Sequence, residues 1–258
     1  MAYLLPWLVW GTSVAQQNKL LTWHIPQSLA FWFGLTIATY GVAALSGGKV
    51  AVIDLLKRLV RFRVKPVWYV ISLVVVPIIS IVALLIYYLF GGENKHFATD
   101  ITTSSLLLVF LIEWWLFLIT EETAWRGFAL PRLQKKFTPL NASLILGLLW
   151  GLWHIPLFMI ADSFQANLPF VGFLISAIAT SILTSWVFNN SRGSVLLVAI
   201  FHAVTDVSIA YTGVMSGDKT LFWLFVLIQV VVALSVIRTS AFNKSVMKDR
   251  ELTYRSAA

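Results

Sequence analysis

The chain contains no cysteine. Disulfides, thiolate metal sites and a cysteine nucleophile are therefore excluded. Charge is scarce as well: Asp, Glu, Lys and Arg make up 12% of the 258 residues, against 59% hydrophobic residues and a mean hydropathy of +0.84. A chain so poor in charge cannot cover a soluble domain with polar surface. There is no repeat of fixed period and no low-complexity segment. No basic leader precedes the first apolar run, so a cleaved signal peptide is not expected. The net charge of +8 would suit a nucleic-acid binder, but the basic residues cluster in short segments between apolar runs. Membrane topology accounts for that pattern, and no nucleic-acid partner is expected.

What the chain has in abundance is long apolar runs. They predict an all-α fold, a polytopic membrane helix bundle of about eight transmembrane helices with its functional site inside the bundle. Residues 1–258 read as one integral membrane domain. The expected spans are 2–18 (short, and carrying Pro6), 25–48, 67–92, 101 to about 132, 140–161, 169–189, 193–212 and 220–237. For residues 2–18 a re-entrant or interfacial segment is the alternative. Residues 49–65 carry six basic side chains against one acid, Asp54, with Val52, Leu55, Leu56 and Leu59 at helical spacing. That pattern predicts an amphipathic helix lying in the interface and contacting anionic lipid headgroups. With the N-terminus inside, sixteen of the nineteen Lys and Arg residues fall on the cytoplasmic side and only Lys19, Lys95 and Lys219 outside. Both termini are thus expected in the cytoplasm, and the protein in the plasma membrane.

Ionisable groups inside apolar runs cost at least a few kcal/mol each, so they need partners or a task. Glu121-Glu122-Thr123-Ala124-Trp125-Arg126 ends the fourth apolar run with three of them. Residues four apart share a helix face, so Glu122 pairs with Arg126. Glu121, turned about 100° away, is left without that cation and suits a general base. Trp150-x-x-x-His154 and His202-x-x-x-Asp206 bring the other polar groups of the apolar core. At about 1.5 Å per residue, His202 lies roughly 12 Å from its helix start, Glu121 roughly 16 Å from Arg132 and His154 roughly 20 Å from Asn141. Similar depths on helices entering from one side point to one shared site. Each group also has a structural reading. Either His is by itself a hydrogen-bonded packing residue, Glu122–Arg126 a buried ion pair, and Asp206 an acceptor that orients His202. Trp150 reads as a packing residue that limits access and lowers the local dielectric. Glu113 is left out of the site, and His24 and His96 fall in solvated outer loops. Two other functions use the same residues. One is a proton-coupled transporter or channel, against which stands the lack of paired broken helices. The other is a haem protein with His154 and His202 as axial ligands, which a Soret band would reveal.

Glu-Glu-x-x-x-Arg, aromatic-x-x-x-His and His-x-x-x-Asp, in that order on successive membrane helices, resemble the CPBP (Abi) family of CAAX proteases and bacteriocin-processing enzymes. The type II CAAX prenyl endopeptidases are among its members. Residues 101–212 form the resembling catalytic core. The resemblance implies an intramembrane endopeptidase acting on a membrane-associated protein or peptide precursor. It implies that Glu121 and His154 activate a water, while His202 and Asp206 polarise the scissile carbonyl and stabilise the oxyanion. Trp150 stands where Phe is usual, and Asp206 where the prenyl endopeptidases have Asn, which bears more on a prenylated substrate than on peptidase chemistry. The resemblance also implies bacteriocin self-immunity as one setting and leaves zinc possible, with Glu121, His154 and His202 as a His₂Glu set. The preferred expectation is that no cofactor is required. A zinc histidine needs a partner that orients it. His154 has only a backbone carbonyl for that purpose, expected to be the Leu152 carbonyl freed by Pro156.

Overall fold

A computed structural model of the chain describes residues 2–93, 102–215 and 218–242. Lys95, expected on the outer side, and most of the basic C-terminal tail lie outside the described residues. Apolar runs became helices throughout. They are α1 (Leu4–Gln17), α2 (Thr36–Leu59), α3 (Pro66–Leu89), α4 (Thr103–Ile119), α5 (Leu130–Lys136), α6 (Pro139–Trp153), α7 (Phe170–Asn190), α8 (Val195–Thr212) and α9 (Lys219–Ile237). Their starts are marked chemically. Thr102, Thr138, Ser194 and Asp218 each accept a backbone N–H in the first turn of α4, α6, α8 and α9, and Pro66 and Pro139 open α3 and α6. Gly213, at φ 64°, ends α8 in the left-handed conformation.

Among the described residues seven helical stretches are long and apolar enough to cross a membrane, the first being Ala30–Leu59 and the last Lys219–Ile237. They correspond to the second through eighth expected spans, so the chain is a polytopic membrane helix bundle. The first expected span is different. α1 has 14 residues, about 21 Å against a hydrocarbon core of roughly 30 Å. It is a short helix docked on the bundle and not a full span. Trp7 Nε1 donates to the carbonyl of Trp153 (2.9 Å), and the Trp10 ring lies 4.7 Å from that of Trp153. The basic segment forms a helix of its own, as expected, but a shorter one: the non-helical backbone of Gly48 (φ 58°, ψ −154°) breaks α2 in two, and the part after it ends at Leu59 instead of running to 65. Leu55 and Leu59 are buried against the bundle while Leu56 is 47% exposed.

Two local departures place the site. α4 stops at Thr120 (φ −112°, ψ −91°), and after Glu121-Glu122 the chain winds as a π-helix from Thr123 to Ala129 before α5. Threonine hydroxyls take over helix carbonyls here: Thr120 Oγ1 donates to Leu116 O (2.7 Å) and Thr123 Oγ1 to Leu118 O (2.5 Å). Such wide turns inside helices concentrate at functional sites. On α6, Gly147 and Gly151 let α7 approach closely. A Cβ at Gly147 would lie 2.7 Å from the Cα of Ile178, and one at Gly151 2.5 Å from Leu174 Cδ1. Small residues four apart are how membrane helices pack without a hydrophobic drive. Polar contacts add to this: Ser176 donates to Gln229 Oε1 (2.7 Å) and Gln229 to Thr180 Oγ1 (2.9 Å), fastening α9 to α7.

The bundle has two distinguishable ends. At one, Ser194 Oγ donates to Arg61 O (2.6 Å), Arg61 to Arg192 O, and Gln134 to Asn189 Oδ1 (3.1 Å). At the other, Tyr87 donates to Asp218 (2.6 Å) and the amide of Ala161 to Gln17 Oε1 (2.8 Å).

Candidate active site

Between the two ends lies a cavity of about 400 Å³, lined among others by Glu113, Glu121, Trp150, His154, His202 and Asp206. Four of the six expected site residues therefore share one space. The other two, Glu122 and Arg126, are fully buried behind its wall. The expected i,i+4 pair is formed, with Arg126 Nη1 donating to Glu122 Oε1 at 2.7 Å. The helical spacing survives the π-winding because Glu122 sits at its first boundary.

Glu122 has a second partner, which departs from expectation. His202 Nδ1 lies 2.7 Å from the same Oε1, whereas Asp206, one turn along α8, forms no hydrogen bond with it. His202 thus takes its partner from across the helix interface although Asp206 stands one turn along its own helix. The ring is held flat as well, stacked on Phe117 at 3.8 Å and 7°. Glu122 is thus a structural ion-pair partner and the group that orients His202.

His154 caps α6, where Pro156 forces the chain into a 3-10 turn over Ile155–Met159. Its Nδ1 lies 2.8 Å from the carbonyl of Trp150, not from that of Leu152. The helix ends at Trp153, so the freed carbonyl one full turn back faces the ring. A carbonyl only accepts, so Nδ1 carries the proton and Nε2 is left with a lone pair. Trp150, Trp153 and Phe173 wall the ring at centroid distances of 5.6, 4.9 and 5.2 Å.

Trp150 is more than packing. Its indole Nε1 donates to Glu121 Oε2 at 2.7 Å, and its ring stands edge-on to His154 and, at 5.3 Å, to His202. The Arg126 guanidinium lies 4.9 Å from the ring centroid. One indole therefore touches the acid, both histidines and the buried cation. A phenylalanine there would keep the ring contacts but lose the donor. That an aromatic occupied this place was legible; that its N–H would find Glu121 on another helix was not.

Glu113, left out at the sequence level, lines the same cavity. Its Oε2 is buried without a hydrogen-bond partner among the described residues. The sequence signal for it was the charge itself, an acid in the middle of an apolar helix.

A metal fits this arrangement poorly. Among the described residues no three His, Asp or Glu side chains group closely enough to hold an ion. Glu121, His154 and His202 surround the Trp150 indole instead of a common point. What the arrangement offers is acid–base and hydrogen-bonding chemistry. Glu121 keeps one carboxylate oxygen, and each histidine its Nε2, outside any hydrogen bond among the described residues.

Comparison with known proteins bears on this geometry. Residues 103–208, from the start of α4 to the last turn of α8, match the family model described as type II CAAX prenyl endopeptidase, Rce1-like. The chain is also 27% identical over 161 residues to CAAX prenyl protease 2 of Methanococcus maripaludis. That alignment covers 58% of this chain and 57% of the relative, so the chain spans little more than half of the curated protein it matches. The resemblance read from the three motifs thus holds over the segment that carries them.

Proposed function

We propose, from the Rce1-like match over residues 103–208, that this protein is an intramembrane endopeptidase that cleaves a peptide bond of a membrane-associated protein or peptide by attack of an activated water. The observation that carries the reading is the Trp150 indole holding Glu121 between two histidines in a cavity inside membrane helices. In this mechanism Glu121 takes a proton from water while the His154 Nε2 lone pair aligns it, and the hydroxide oxygen bonds to the scissile carbonyl carbon. The carbonyl oxygen gains the negative charge beside His202. That ring, held at Nδ1 by Glu122, presents Nε2–H as donor when it carries both protons. A preorganised donor in a water-poor site contributes several kcal/mol. Collapse breaks the C–N bond, and the proton on Glu121 passes to the leaving amine. Asp206 adds a hydrogen bond to the oxyanion only as the protonated acid, a role that Asn would perform without that condition. No step calls on a metal.

The test is cleavage by purified protein in detergent of prenylated and unprenylated membrane-peptide panels, read by mass spectrometry. A single new terminus, lost in Glu121→Ala, is the expected result. An intact panel with well-folded protein, or equal cleavage by Glu121→Ala, would overturn the reading.

A further inference from the structure

Several hydroxyls on the helices of this bundle turn back onto their own backbone. Thr184, Thr205, Ser208 and Thr212 each donate to the carbonyl four residues before them, at 2.5–2.8 Å. Such back-bonding uses up the hydroxyl hydrogen. Ser176 and Thr180 on α7, 5% and 4% exposed, do otherwise. Both are held by Gln229, the one amide in the apolar stretch 221–234 of α9. Ser176 Oγ donates to Gln229 Oε1 (2.7 Å), and Gln229 Nε2 donates to Thr180 Oγ1 (2.9 Å).

An amide has a donor end and an acceptor end, so it leaves the two hydroxyls with opposite polarity. Ser176 has given its hydrogen and keeps lone pairs; Thr180 has accepted one bond and keeps its hydrogen. Neither makes a further hydrogen bond among the described residues. Both line the cavity, together with Phe173 and Ala177 at helical spacing on the same face of α7. That face starts beside His154, whose ring lies 5.2 Å from that of Phe173, and passes Ser176 before it reaches Thr180. A free hydrogen and free lone pairs in a water-poor cavity are unfavourable unless an occupant meets them.

We propose that Ser176 and Thr180 bind the substrate through its peptide backbone, Thr180 donating to a backbone carbonyl and Ser176 accepting a backbone N–H. That the occupant is a peptide rests on the peptidase reading; the opposite polarity of the two hydroxyls rests on their bonds to Gln229. One turn of α7 sets the pair about 6 Å apart along the helix. Along one edge of an extended peptide N–H and C=O alternate, and the pattern repeats every second residue, about 6.6 Å. One such repeat spans both hydroxyls. Ala177 between them carries only a methyl group, which lets a backbone come close. Recognition of this kind tolerates different side chains at the bound residue, because its contacts are to the main chain. Gln229 is then a positioning residue: it sets which hydroxyl gives and which takes.

The test uses the panel peptide that the purified parent protein cleaves in detergent, and steady-state constants for it. Thr180→Val and Ser176→Ala each remove one hydroxyl. Each should raise KM roughly three- to ten-fold, the effect of one neutral hydrogen bond, with kcat within about two-fold. Thr180→Ser should restore the parent KM. A merely structural role would instead lower thermal stability and the amount of active protein, leaving KM in place. Thr180→Ala gives the same reading should valine disturb the contact with α9. The second arm alters the peptide: ester analogues replace one backbone N–H at a time with oxygen, at every bond except the scissile one. One ester should raise KM for the parent and add nothing in Ser176→Ala, whose acceptor is gone. Unchanged KM in well-folded Thr180→Val and Ser176→Ala, or ester penalties that simply add to that of Ser176→Ala, would overturn the proposal, while cleavage by the parent keeps the peptidase reading standing. If the folded parent cleaves no panel peptide, the peptidase reading falls and this assignment falls with it.

Discussion

Replacing Trp150 with phenylalanine separates the two things this side chain does. The phenyl ring keeps its place beside His154 and His202, now at 5.6 and 5.3 Å from the indole, so packing is largely retained. The change removes one donor, the Nε1–H that holds Glu121 Oε2 at 2.7 Å. A hydrogen bond to a charged group contributes about 1.5–3 kcal/mol, more than a neutral pair. If that bond holds the attacking base in place, the same amount is lost from the transition state. At about 1.4 kcal/mol per factor of ten, kcat should fall roughly 10- to 100-fold. KM should change little, because the indole N–H is taken by Glu121 and not offered to the peptide. Steady-state cleavage by detergent-purified protein gives both constants, and thermal unfolding in the same detergent controls for folding. Trp150→Ala is the contrast: it removes the ring as well, and cavity formation at a buried Trp costs about 3–5 kcal/mol of stability. An unchanged kcat in a well-folded Trp150→Phe protein, or a rise in KM alone, would refute the idea that the indole positions the base.

Glu121→Gln should abolish cleavage with the melting temperature preserved, whereas Glu122→Gln should lower both activity and folding yield. The reason is that Glu122 holds Arg126 and His202 through one oxygen, and breaking a buried pair costs about 3–5 kcal/mol; a stable, fully active Glu122→Gln protein would contradict this. Asp206→Asn should stay within a few-fold of the parent in kcat while Asp206→Ala loses it, and equal rates for the two would remove Asp206 from the oxyanion role. Gly147→Leu should prevent close packing of α6 on α7, since even a Cβ meets the Ile178 backbone at 2.7 Å; size-exclusion profiles and protease sensitivity in detergent should show loss of the folded bundle, and a native profile would speak against that contact. Exhaustive chelation should leave activity unchanged with well under one zinc per chain by elemental analysis, and zinc-reversible loss would reverse the metal-independent mechanism while leaving the peptidase itself in place.

The sequence by itself determined that this is a helical membrane protein, where the seven long spans among the described residues lie (an eighth being expected over 2–18), and which side chains are out of place in hydrocarbon. These are properties of single segments. Hydropathy over about twenty residues decides whether a stretch crosses a membrane, and the 1.5 Å rise and 100° turn of one helix decide that Glu122 meets Arg126. The Gly147-x-x-x-Gly151 contact was written there too, as two small residues one turn apart. The length of α1 could have been read from the polar residues after Val14, but its docking could not. The rest was decided by how helices are turned against one another. His202 had two carboxylates to choose from, Asp206 four residues along its own helix and Glu122 eighty residues away, and took the distant one. The i,i+4 rule puts Asp206 within reach, but packing across helices put Glu122 closer. Trp150 and Glu121 likewise met across 29 residues, on different helices, where α4 breaks at Thr120 just before the acid. No periodicity within one segment encodes such meetings, because they come from the packing of side chains contributed by all the helices at once.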